Sequence, residues 1–146
     1  GLGPRYGGIY TSNVKIMNYH LMTPEDHHNL IAPYPNRDLA IVSTGGHGAE
    51  TIPHCNRTSG VYYSTYYRKY YPIICEKPTN IWIEGSPYYP SRFQAGVMKG
   101  VGPAELGDCG GILRCIHGPI GLLTAEGSGY VCFADIRQLE CIAEEQ

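Results

Sequence analysis

Apolar positions along this chain come in short runs punctuated by glycine and proline, the pattern of strands joined by turns rather than of long amphipathic helices. Residues 10–18 alternate weakly around Val14 and Ile16 before reaching His20, and residues 39–43 form an apolar run just after Asp38. Both read as strands, with a polar, proline-containing loop between them. Residues 44–54, with Gly45, Gly46, Gly48 and Pro53, are rich in breakers and place a lobe boundary near residue 54. Beyond it stand the tyrosine pairs Tyr62-Tyr63, Tyr66-Tyr67 and Tyr70-Tyr71, with Arg68 and Lys69 between the last two. Their spacing fits a helix face, but β-propensity, Ser64-Thr65 and Pro72 as a terminator favour two strands and a turn. Residues 81–84, 97–99, 112–116, 120–124 and 130–133 are further strands between Gly or Pro turns, so a barrel or sandwich follows. Asp135 is expected to cap a short terminal helix with Ile136, Leu139 and Ile142 or Ala143 along one face.

Composition narrows this further. The 146 residues suffice for one compact domain or two small lobes, and 19 glycines, 11 prolines and 13 tyrosines with only 16% charged residues favour an all-β chain. A net charge of −2 leaves no broad basic footprint, so general nucleic-acid binding is not expected. The tyrosines could be a base-stacking platform only beside a positive groove, and they read instead as the cover of a sheet. No apolar run is long enough to span a bilayer and no signal-peptide pattern opens the chain, so a soluble chain without membrane partners is expected. The six cysteines are irregularly spaced and sit in apolar or motif-like settings, the usage of reduced thiols in a cytosolic compartment. The sequon Asn56-Arg57-Thr58 is accordingly accidental. The chain starts at Gly1 without methionine and stops at Glu145-Gln146, as though cut from something longer.

The chemistry concentrates in Gly107-Asp108-Cys109-Gly110-Gly111. Glycines after the cysteine permit backbone angles that let turn amides converge on one oxygen, the requirement of an oxyanion hole. It is the Gly-Asp-Ser-Gly-Gly loop of trypsin-like serine proteases with a thiol in place of the hydroxyl. A thiol nucleophile needs a base. His27-His28 and His47 lie in polar or glycine-rich loops and read as solvated, whereas His20 follows one strand and Asp38 opens the next. Neighbouring strands could hold that imidazole and carboxylate side by side, fixing the tautomer. Two other classes stay open from the residues alone: a zinc-stabilised binding module with a structural Cys109, and an RNA binder using the aromatic strands.

Five segments then occur in order: Asn18-Tyr19-His20-Leu21, Asn36-Arg37-Asp38-Leu39, Tyr88-Tyr89-Pro90, the Cys109 turn, and Cys115-Ile116-His117-Gly118. With them the chain resembles, over essentially its whole length, the 2A cysteine proteases of enteroviruses and rhinoviruses. The resemblance implies a chymotrypsin-like fold, with a four-stranded amino-terminal sheet in residues 1–53, a connector at 54–60 and a six-stranded carboxy-terminal barrel in 61–146. It implies His20 as general base and acid, Asp38 as its orienting partner and Cys109 as nucleophile, with backbone amides of Gly107, Asp108 and Cys109 as the oxyanion hole. Tyr88, Tyr89, Thr124 and Ala125 would border the substrate. The implied partners are the viral polyprotein, cut just before Gly1, the host translation initiation factor 4G scaffold, whose cleavage shuts off capped translation, and nucleoporins. Gln146 fits the cut of a sister viral protease. A monomer in the host cytoplasm is expected.

The same family closes a structural zinc site with a Cys-x-Cys pair and a Cys-x-His pair. Cys115 and His117, two apart, project from one face of a strand. Cys55 matches the first pair, but the position of its partner is Arg57, whose guanidinium cannot ligate zinc. Zn2+ is expected on Cys55, Cys115 and His117, with His54 as fourth ligand if the loop bends; water in that position or a poorly binding site are the alternatives. A second departure is Leu106, where the family has proline, which loosens the turn before Gly-Asp-Cys.

Overall fold

The structure is a computed structural model and describes residues 8–85, 87, 89–105 and 108–139. Expectations that fall on the termini, Tyr88, Leu106, Gly107, Ile142 and Ala143 lie outside these residues.

Two antiparallel sheets make up the chain. The first contains β1 (Ile9–Asn18), β2 (Leu30–Tyr34) and β3 (Leu39–Ala49), with β3 in the middle. The alternation in β1 is weak because the strand bulges: the register with β3 shifts between Ser12 and Val14, and Ser12 has φ 52°. After the bulge Val14 and Ile16 point into the core, while Met17 faces the other side with Ala40 and Val42. The segment expected as a bare loop holds β2 and a short helix, α1 (Pro24–His28). Thr23 and Asp26 form a reciprocal capping box at its start, a signal present in Thr23-Pro24-Glu25-Asp26 but masked by the polar composition. His27 and His28 on α1 are exposed.

Residues 50–58 carry no strand or helix and lead into the second sheet. This comprises β4 (Ser59–Ser64), β5 (Lys69–Ile74), β6 (Thr79–Ile83), β7 (Arg92–Val101), β8 (Ile112–Cys115), β9 (Gly118–Gly127) and β10 (Tyr130–Asp135). Their order is β5-β4-β8-β9-β10-β7-β6, and a bridge between Cys75 and Gly100 joins the chain just after β5 to β7. Six strands thereby close into a barrel, and β6 is a seventh that extends the β7 edge. The tyrosine pairs form the β4–β5 hairpin, with Tyr62 opposite Tyr71 and Tyr63 opposite Tyr70. Pro72 does not end its strand: β5 continues to Ile74, since an edge strand can dispense with one donor.

Tyr62, Ile73, Met98, Leu113, Ile120, Leu123, Val131 and Phe133 fill the barrel. Leu122, Ala134, Ile136 and Leu139 instead join Ile9, Val14, Ile16, Leu39 and Ile41 of the first sheet, so a single apolar cluster crosses between the sheets. After β10 the chain makes a 3-10 turn at Arg137–Leu139, where Asp135 accepts from the Arg137 amide at 3.0 Å in the expected capping role. The five described cysteines are free thiols, and no described helix is long and apolar enough to cross a membrane.

Candidate active site

Strand register brings the first two groups together. Asn18, the last residue of β1, pairs with Leu39, the first of β3, so the residues that follow one strand and precede the other emerge at the same end. Asp38 sits in the left-handed region at φ 56°, after a 3-10 turn over Pro35–Arg37. This costly backbone conformation turns its side chain inward. Its carboxylate then meets four donors. His20 Nδ1 lies 2.8 Å from Oδ2 and the His20 amide donates to Oδ1 at 2.9 Å. Asn18 Nδ2 donates to Oδ2 at 3.1 Å, and the Thr124 hydroxyl donates to the same oxygen.

Asp38 is 2% exposed. Burial alone would raise its pKa, but hydrogen bonding and attraction to His20, with the bonds from Thr124 and the His20 amide, hold it below its ordinary value of 3.8. An ionised Asp38 accepts and cannot donate, so the proton of a neutral His20 is on Nδ1 and the lone pair on Nε2.

Residue Thr124 is itself fixed. Its oxygen accepts from Gln94 Nε2 and Arg92 Nη2, each at 3.2 Å, and Arg92 Nε donates to Gln94 Oε1 at 2.9 Å. With both acceptor directions filled, the hydroxyl proton points to Asp38. Asn18, Arg92 and Gln94 were missed by sequence reasoning. Asn18 was quoted only as part of a motif, and nothing local marks the other two, whose role arises from pairing across the sheets.

The thiol comes from the other lobe. Cys109 follows a tight turn in which the Asp108 amide donates to the Glu105 carbonyl at 2.8 Å and the Gly111 amide to the Asp108 carbonyl at 3.0 Å. Gly110 adopts φ 93°, a conformation open to glycine. Its amide donates to the Leu123 carbonyl at 3.0 Å, and Leu123 donates back to Gly111 at 2.8 Å. The Leu123 carbonyl also accepts from Asn18 Nδ2 at 3.2 Å, so one peptide of β9 holds the thiol loop and the strand that leads to His20.

His20 and Cys109 line one cleft of about 220 Å³ with Tyr89, Arg92, Thr124 and Ala125. The Tyr89 ring stands edge-on to His20, centroids 4.7 Å apart. Of the expected substrate-bordering residues, Tyr89 and Ala125 line this cleft, Thr124 lines it while bonding Asp38, and Tyr88 lies outside the described residues. The oxyanion expectation needs one correction: the Asp108 amide is engaged within its own turn. Gly107 is not among the described residues. Burial pushes the Cys109 thiol up to about 12, so at neutral pH it rests protonated.

The metal candidates converge only in part. Cys55 and Cys115 bring their sulfurs to 3.9 Å, close to the separation of about 3.8 Å that two 2.3 Å Zn–S bonds set at a tetrahedral angle. The His117 amide donates to the Cys115 sulfur at 3.3 Å. His54 and His117 are exposed, and among the described residues no group of three or more metal-ligating side chains comes together. The Arg57 carbonyl, in place of a ligand, accepts from Arg137 Nη1 at 2.7 Å.

Residues 18–144 match the family profile described as picornavirus core protein 2A. The whole chain is 97% identical to a segment of the genome polyprotein of human rhinovirus 14, and spans 7% of that polyprotein. The crystal structure of 2A protease from human rhinovirus C15 is 38% identical, with a TM-score of 0.83 over 93% of this chain and 98% of that one. The solution structure of the 2A proteinase from human rhinovirus RV-C02 is 39% identical, with a TM-score of 0.79 over 93% and 94% of the two chains.

The cage makes acid stability depend on Asp38. Its folded pKa lies below the unfolded value, so its contribution is complete above about pH 4 and is lost as pH falls through the folded value. Asp38→Asn is expected to lower the unfolding free energy by about 2 kcal/mol at pH 7. The difference from the wild type should shrink below pH 4, as read from urea titrations across pH.

Proposed function

The chain belongs to the picornavirus core protein 2A family and is a cysteine protease of a viral polyprotein, and from that premise we propose that Cys109, His20 and Asp38 are its catalytic groups. The observation that carries this reading is the imidazole held by a buried carboxylate, sharing a cleft with a thiol on a glycine turn.

The Cys109 thiol rests protonated, so it needs a base to attack. His20 Nε2 takes the thiol proton as the Cys109 sulfur attacks the scissile carbonyl, so nucleophile and base are generated in one step. Asp38 accepts from Nδ1 and stabilises the imidazolium without taking its proton. Backbone amides of Gly107 and Cys109 hold the oxyanion of the tetrahedral intermediate; one such donor is worth about 3 kcal/mol of barrier. His20 then protonates the leaving amine and the carbon–nitrogen bond breaks, leaving a thioester. Water attacks the thioester with His20 as base, releasing the acid and restoring the thiol.

The substrates follow from the family. We propose that the enzyme cuts the viral polyprotein immediately before Gly1, and in the host cytoplasm cuts the initiation factor 4G scaffold, shutting off capped translation, and nucleoporins. Tyr89 and Ala125 would border an extended peptide in the cleft, where a rigid aromatic ring loses little entropy on contact. Zn2+ is proposed to bind Cys55, Cys115 and His117, with His54 as the fourth ligand in place of Arg57. The sulfur separation fits that edge of a tetrahedron, and the imidazoles would have to swing in. The metal would supply a structural cross-link between connector and barrel and takes no part in the reaction.

Two tests follow. A peptide spanning the junction before Gly1 should be cleaved by the wild type and not by Cys109→Ala. The difference between their spectra should lack thiolate absorbance near 240 nm at pH 7; strong absorbance there would contradict a protonated Cys109. Arg57→Cys should bind zinc nearer to one per chain and keep it longer against a chelator, with a higher Tm.

A further inference from the structure

The β4–β5 hairpin, so marked in the sequence, has no part in the chemistry above, yet its turn grips the segment that delivers the thiol. Ser64 Oγ donates to Asp108 Oδ2 at 2.7 Å. Thr65 Oγ1 and the Tyr66 amide each donate to Oδ1 at 3.2 Å. The Glu105 amide adds a bond to Oδ2 at 3.0 Å. Ser64 is oriented in turn by the Tyr67 amide, which donates to its oxygen at 3.1 Å. Two tyrosines hold the chain upstream: Tyr67 donates its hydroxyl to Glu105 Oε2 at 2.9 Å, and Tyr62 donates to the Pro103 carbonyl.

Ser64 and Asp108 are both fully buried, and among the described residues no cation pairs with Asp108. Its carboxyl oxygens are therefore met by neutral donors, and each one lost leaves a buried lone pair unmet. Asp108 is joined to Cys109 by one peptide bond, and its carbonyl accepts from Gly111. A rotation of Asp108 is thus passed directly to the thiol and the glycine turn.

We propose that Ser64, Thr65 and Tyr67 are positioning residues for Cys109, acting through Asp108 and Glu105 to fix the turn at the angle of attack. The hairpin serves here as a clamp made of hydroxyls, where a cation would otherwise be needed. This rests on Cys109 being the nucleophile. Misplacing a reacting atom by about 1 Å can cost about a hundredfold in rate. The cleft walls at Tyr89 and Ala125 belong to other segments, so the loss should fall on kcat and leave KM alone.

The test is steady-state cleavage of the junction peptide by full-length variants, with Tm measured alongside. Ser64→Ala is expected to lower kcat at least about tenfold with KM within about twofold. Thr65 lies on the exposed turn, where folding is not at risk, so Thr65→Val should lose about threefold in kcat while Thr65→Ser keeps the wild-type value. Tyr67→Phe should lose a similar amount. Tyr70→Phe, on the same hairpin but outside these bonds, should change nothing. Unchanged kcat in folded Thr65→Val and Tyr67→Phe, or a rise in KM alone, would overturn the proposal. Cleavage surviving in Cys109→Ala would instead overturn the reading on which it rests.

Discussion

A carboxylate buried between two sheets is the constraint from which the rest of this site follows. Asp38 cannot stay ionised at 2% exposure unless its lone pairs are met. Its donors come from both sides: Asn18 and His20 from the first sheet, Thr124 from the barrel. Pulling the sheets apart would strand a charge, so the cleft between them has one geometry. The shared apolar cluster through Ile16, Leu122 and Ile136 supplies the attraction, and the Asp38 cage supplies the register.

The same economy governs β9. Leu123 and Thr124 are adjacent at a bulge in β9, where the register with β10 shifts. The Leu123 side chain fills the barrel while its backbone holds Gly110, Gly111 and Asn18. The hydroxyl of Thr124 points to Asp38. One dipeptide thus sets the position of the thiol loop relative to the imidazole, and Asp108 fixes the same loop from its other end. Rigidity on both sides suits a reaction in which a thiol must meet its base at a fixed separation.

Much of this was legible in the sequence. The breakers near residue 54, the strand runs and the hairpin of tyrosines reflect local preferences that survive folding. The meeting of His20 and Asp38 could be anticipated because each abuts a strand, and antiparallel pairing converts that position into proximity. What stayed hidden depends on pairing between distant segments. Gln94, Arg92 and Thr124 form a chain of bonds that no spacing announces. Strand β2 was lost because Pro33 and flanking polar residues resemble a loop, and pairing with β3 overrides that preference. Of the tyrosines read as sheet cover, Tyr62 fills the barrel instead, and Tyr66 and Tyr67 lie in the hairpin turn, where the Tyr67 hydroxyl bonds Glu105.

The central claim is that ionised Asp38 fixes the tautomer of His20 so that Nε2 faces the cleft as a base. Nitrogen-15 chemical shifts of the His20 ring, measured above its pKa, test this most directly. The account predicts a protonated, pyrrole-like Nδ1 and a bare, pyridine-like Nε2, with both signals averaging in Asp38→Asn. A protonated Nε2 in the wild type would contradict it, because a base whose lone pair is turned to Asp38 cannot take a proton from Cys109.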